Sequence, residues 1–200
     1  MALKKKDENT EKVFFNEMFS NLSKIYVDIY NIILNINYKD MPEIIDRIYD
    51  IRENYYSNIM AKKLKGRRSL SAIKNLLIQN EISRIVDDIL YIGMDMMKRP
   101  IPFRVSNIFR DDSFRMFFNG MSDLILNLQN LFDETGDEKL ASILKNSSEL
   151  EKMLRNLLIE LYKNEKDLDP STLEQLSYFF TTSGEIISCI EKTFIILRKS

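Results

Sequence analysis

Apolar residues in this chain recur at alternating steps of three and four, the spacing that keeps side chains on one face of an α-helix. Six segments carry the pattern. Phe15, Phe19, Leu22, Tyr26, Ile29 and Ile33 form the first stripe, and Ile44, Ile48, Ile51, Tyr55 and Ile59 the second. The third is the most regular, with Ile78, Ile82, Ile85, Ile89, Ile92 and Met96. The stretch KRPIPFR then intervenes, where Pro100 and Pro102 cannot lie inside a helix without loss of backbone hydrogen bonds. Beyond it, Phe114, Phe117, Met121, Leu124, Leu128 and Leu131 line a fourth segment. Leu140, Ile143, Leu150, Leu154, Leu157 and Leu161 line a fifth, with Ser147 in one expected slot. Leu173, Leu176, Phe180, Ile187, Ile190, Phe194 and Leu197 line a sixth, interrupted by Ser183. Each stripe predicts a helix of roughly 25 residues, about 38 Å long. The short connections predict that sequential helices pack antiparallel.

The segment boundaries carry their own signals. Asp40 before Glu43, Thr135 before Glu138 and Ser171 before Glu174 fit a capping box, in which a cap side chain and a carboxylate three residues on satisfy free N–H groups. Pro42 and Pro170 fall in the first turns these caps open, where proline is tolerated.

The six segments divide into two sets of three. Phe14, Phe15, Asn16 and Met18 recur as Phe117, Phe118, Asn119 and Met121, each 103 positions on, and SAIKNL from Ser71 matches STLEQL from Ser171. Heptad seams resemble one another in any case, but the seam does not require Asn16 and Asn119. The expected organisation is a tail over residues 1–10 and two three-helix repeats, 11–98 and 106–199. A proline-containing loop, 99–105, joins the repeats within one all-α domain.

Composition narrows the function classes. With 5 Gly and 4 Pro in 200 residues there is little material for an all-β fold or a phosphate-cradling loop. A formal charge of −1 supplies no global field toward nucleic acid. Lysines lead the N-terminus, but polar residues follow where a signal peptide would place its apolar segment, and no apolar run reaches the roughly 20 residues that span a bilayer. A cytoplasmic protein is expected. The 0 histidines remove the usual general base and metal ligand, and with them the di-iron bundle motif. Cys189, the single cysteine, lies on an apolar helix with nothing nearby in sequence to lower its pKa, so a buried structural thiol is expected. No enzymatic constellation emerges.

Two charged features remain. Asp46, Asp50 and Glu53 share a face of the second helix and Asp87 and Asp88 interrupt the third, which suits either a solvated acidic surface or oxygen ligands to a metal. Lys62, Lys63, Lys65, Arg67 and Arg68 cluster where the second helix ends, which complements the helix dipole or supplies a docking patch for an acidic partner or anionic headgroups.

Three stretches point to a family: Phe14 and Phe15 opening the first helix, EISRIVDDILYI from Glu81, and the closing SGEIISCIEKTFIIL. With the order of elements from Val13 to Lys199, they resemble the PhoU-like family of phosphate-transport regulators, and within it the short stand-alone branch associated with Pit-type transporters. The resemblance implies an antiparallel bundle of two pseudo-symmetric three-helix units. It also implies metal motifs, an acidic residue followed four positions on by Asp, that hold iron or zinc. The aligned pairs here are Tyr49 with Glu53, Asp87 with Tyr91, Ser148 with Lys152, and Thr181 with Glu185, and none keeps both carboxylates. Lys152 would repel a cation, so the second unit's site is lost. Glu53 and Asp87, helped by Asp50 or Asp88, are the remaining metal candidates, and a protein without a metal cofactor is the expectation. The function implied is a non-enzymatic regulator or adaptor that contacts a membrane phosphate transporter, or its cytoplasmic domain, at the membrane surface. Two alternatives stay open: a metal- or ligand-binding bundle, and a structural module that self-associates as a homo-oligomer.

Overall fold

The computed structural model describes residues 2–63, 70–102, 110–132, 137–163 and 168–198. Within them lie six α-helices: α1 (Ala2–Asn35), α2 (Met41–Lys63), α3 (Leu70–Lys98), α4 (Asp112–Leu126), α5 (Asp137–Lys163) and α6 (Pro170–Arg198). A 3-10 turn, Tyr38–Asp40, precedes α2, and another, Asn127–Phe132, extends α4. The helices match the six predicted stripes, with two differences of extent. Residues 2–10, expected as a solvated tail, belong to α1; the run from Ala2 to Lys12 holds no Gly or Pro, and Lys and Glu make up more than half of it, so no strong breaker stops the helix. The fourth helix is 15 residues long, and its last two stripe positions fall in the 3-10 turn.

Local chemistry sets the ends. Asp111 caps α4 by accepting from the Ser113 N–H at 2.7 Å. At α6 the cap is Asp169, one residue before Pro170, and not the predicted Ser171; its carboxylate accepts from the Thr172 N–H at 3.0 Å and from the Thr172 hydroxyl at 2.8 Å. Proline then occupies the first helical position, where its missing N–H costs nothing. The Asn37 N–H bonds back to the Ile32 carbonyl at 3.1 Å, closing α1 through Ile36 at φ 57°. This left-handed position usually takes glycine.

Sequential helices run antiparallel, and so do the two pairs that join the halves. Gln129, in the turn that extends α4, donates to the Asn16 carbonyl in the first half of α1, while Tyr30, further along α1, stacks on Phe118, earlier in α4. Lys74 reaches the Leu197 carbonyl at 2.8 Å, and at the other end Gln175 donates to the Arg99 carbonyl. α3 against α6 and α1 against α4 are the most extensive contacts, α2 lies against α1 and α3, and α5 against α4 and α6. Four helices are therefore central and two are flanking. The burial pattern follows: α1 hides adjacent pairs such as Ile25 and Tyr26, α3 hides Ile89 and Leu90, and α6 hides Phe179 and Phe180, whereas α5 hides a single row. All these residues belong to one hydrophobic cluster that spans both halves.

α4 packs closely on α5 at Gly120, where an added Cβ would lie 2.6 Å from Leu150 Cδ2 and the leucine methyl would have to swing aside. Of the repeated asparagines, Asn16 is half-buried and Asn119 exposed. Their identity does not correspond to a shared environment.

Candidate functional site

Of the four first-unit positions singled out by the family resemblance, Tyr49, Asp87 and Tyr91 lie at the seam between α2 and α3, and Glu53 does not. Asp87 on α3 accepts from Arg52 Nε on α2 at 2.6 Å with one carboxylate oxygen, and from the Tyr56 hydroxyl at 3.2 Å with the other. The Arg52 guanidinium also lies 5.3 Å from the centre of the Tyr56 ring. The bond to Asp87 holds its pKa above the ordinary arginine value. Tyr49 lies one turn toward the α2 N-terminus, with its hydroxyl 3.8 Å from Met94 Sδ, and Tyr91 stands one turn beyond Asp87 in the neighbourhood of Arg52. Glu53 is exposed on the outer side of α2, as are Asp46 and Asp50.

This arrangement does not fit the metal site proposed at Glu53 and Asp87. Both oxygens of Asp87 are engaged, and the nearest cationic group is a guanidinium that would repel a metal ion. Among the described residues no group of three or more His, Cys, Asp or Glu side chains is placed to hold an ion. Arg52 and Tyr56 went unremarked in the sequence, since their partner lies 35 and 31 residues away. Ser148, Lys152, Thr181 and Glu185, the second-unit positions, are all exposed.

Two further groups surround α3 and α2. Asp88 faces α6, and its Oδ2 is buried without a hydrogen-bond partner. Burial, and then the Glu185 carboxylate, push its pKa up to about 6, against the opposing charge of Arg84. Cys189 is buried and unpaired, and burial pushes its thiol up to about 12, with a hydrogen bond to Glu81 adding to the shift. That thiol stays protonated near neutrality, as expected of a structural cysteine. At the α1–α2 turn, an open polar cleft of about 280 Å³ is lined by Asp28, Asn31, Asn35, Asn37 and Arg47 among others. Arg47 is paired to Asp28 at 2.9 Å.

The predicted basic patch is only partly in view. Lys62 and Lys63 end α2, but their side chains, and Lys65, Arg67 and Arg68 entirely, lie outside the described residues. Among the described residues, no helix is long and apolar enough to cross a membrane.

No protein-family model matches the chain, and no curated protein matches it in sequence. Two solved structures share its fold. A PhoU-like phosphate regulatory protein from Shewanella oneidensis MR-1 superposes with a TM-score of 0.69 at 15% identity, over 92% of this chain and 94% of that one. The phosphate transport system regulatory protein PhoU from Streptococcus pneumoniae superposes with a TM-score of 0.56 at 14% identity, over 95% of this chain and 94% of that one. The bundle is thus PhoU-like in fold.

Proposed function

We propose that this chain regulates phosphate transport by protein contact, without catalysis and without a resident metal. The contact would be made with a Pit-type transporter or its cytoplasmic domain, from the cytoplasmic side of the membrane. The observation that supports this most is the likeness in fold to two phosphate regulatory proteins, which extends over nearly the whole chain. The chemistry of the surface agrees with it. The thiol is held protonated, histidine is missing, and at the α2–α3 seam Arg52 and Tyr56 engage both oxygens of Asp87. The basic residues Lys62, Lys63, Lys65, Arg67 and Arg68 are the proposed point of contact with an acidic part of the transporter or with lipid headgroups.

Phosphate uptake in cells lacking the chain, measured at low and high external phosphate, tests this reading. The dependence of uptake on external phosphate should change and be restored by the intact gene. Uptake indistinguishable from wild type at every concentration would remove it.

A further inference from the structure

Most of the described large aromatic side chains are buried, but four tyrosines are exposed, and two of them, Tyr49 and Tyr91 at 38% and 51%, lie on either side of the α2–α3 seam. They flank the Arg52–Asp87 pair, which Tyr56 braces from the side. Tyrosine combines an apolar ring with a polar tip at small entropic cost, and is enriched at the centres of protein interfaces.

Charge decides what such a face accepts. Among the described residues its cations are already engaged, Arg52 on Asp87 and Arg84 on Glu81, and Arg47, on the α1 side of α2, is paired to Asp28. Asp46, Asp50 and Glu53, spaced three and four residues apart beside Tyr49, are exposed, and among the described residues they have no ion-pair partner. An incoming acidic segment would be repelled. An incoming ammonium or guanidinium group would meet free carboxylates and the negative faces of two tyrosine rings, both of which attract a cation.

We propose that the α2–α3 face centred on Tyr49 and Tyr91 docks a basic segment of a partner protein, with its cations seated on the tyrosine rings and paired with Asp46, Asp50 and Glu53. The assignment rests on the reading of the chain as a regulator that acts by contact, and adds the chemistry of what this face contacts.

The test is a fluorescence-anisotropy titration of the full chain with a labelled amphipathic peptide of Arg, Lys and Leu, and with its counterpart carrying Glu for each cation. The basic peptide should bind and the acidic one should not. Asp46→Asn, Asp50→Asn, Glu53→Gln in one protein should weaken binding about tenfold, the size of effect expected of interface anchors. Asp123→Asn, Glu138→Gln, Glu149→Gln, which removes as many charges from α4 and α5, should leave binding unchanged. Tyr49→Ala with Tyr91→Ala should also weaken it about tenfold at unchanged net charge, and Tyr49→Phe with Tyr91→Phe should restore it if the ring faces carry the contact. Equal weakening by the control triple, or no effect of the alanine pair in a folded protein, overturns the assignment. Peptide binding through this face without any effect on phosphate uptake would keep the docking surface and remove the phosphate reading. Altered uptake without peptide binding would do the reverse.

Discussion

Ser183→Ala should destabilise the protein by about 1–3 kcal/mol, and more than Tyr26→Phe, although both changes delete the same hydrogen bond. Tyr26 on α1 and Ser183 on α6 are fully buried, and their oxygens lie 2.8 Å apart. The serine has one proton, which it donates to the Phe179 carbonyl at 2.9 Å. The tyrosine hydroxyl must therefore be the donor across the helix pair. Removing the serine oxygen strands that donor where no water reaches it, which exacts the desolvation penalty of an unmade bond. Removing the tyrosine hydroxyl leaves the serine proton satisfied and should cost only about 0.5–1.5 kcal/mol, the net worth of a typical hydrogen bond. The double variant has no stranded donor and should be more stable than Ser183→Ala alone. Urea denaturation followed by far-ultraviolet circular dichroism, extrapolated linearly to water, supplies all three differences. If Tyr26→Phe proves the costlier change, or if Ser183→Ala is neutral, the assigned direction of the bond is wrong.

Three further outcomes follow from local geometry. Asp88 has a folded-state pKa raised from 3.8 to about 6, so its stabilising contribution is complete below about pH 4 and is lost as pH rises through 6. Asp88→Asn should therefore be more stable than wild type at pH 7, by about 1 kcal/mol once solvent screening is allowed for, and the melting curves should converge near pH 4; a constant difference across that range would discard the shift. Ile36→Asn should relieve the strain of a β-branched residue at φ 57°, which costs roughly 1–2 kcal/mol, and after loss of the half-buried side chain should gain up to about 1 kcal/mol; a lower denaturation midpoint would contradict this. Elemental analysis of tag-free protein should find no stoichiometric iron or zinc, because Arg52 and Tyr56 occupy Asp87; stoichiometric metal that disappears in Glu53→Ala, Asp87→Ala would show the pair yielding to an ion.

The helices were legible because their signal is local. Ile82, Ile85, Ile89 and Ile92 are buried as their spacing requires, and Ser147 and Ser183 take the buried slots that the fifth and sixth stripes left for them. The candidate site was legible only in part. Tyr49, Glu53, Asp87 and Tyr91 could be singled out through the resemblance to a family. That Asp87 would be taken by Arg52 could not, since nothing in a single helix tells which of several cations lies across the seam. The cap of α6 is a smaller case: Asp169 and Ser171 both suit the role, and the position of Pro170 at the first helical residue favours the aspartate.

By itself, the sequence determined six amphipathic segments, their division around Pro100 and Pro102, and the absence of histidine chemistry, since these depend on residue identity and on neighbours three or four positions apart. Tertiary structure decided which helices are central. A residue such as Leu90, Phe179 or Cys189 lies beside the main stripe of its helix, and whether that second row faces solvent or another helix depends on how the two halves meet. It also decided where the exposed chemistry collects. Tyr49 and Tyr91 are 42 positions apart in sequence, and only the antiparallel packing of α2 on α3 makes one face of them.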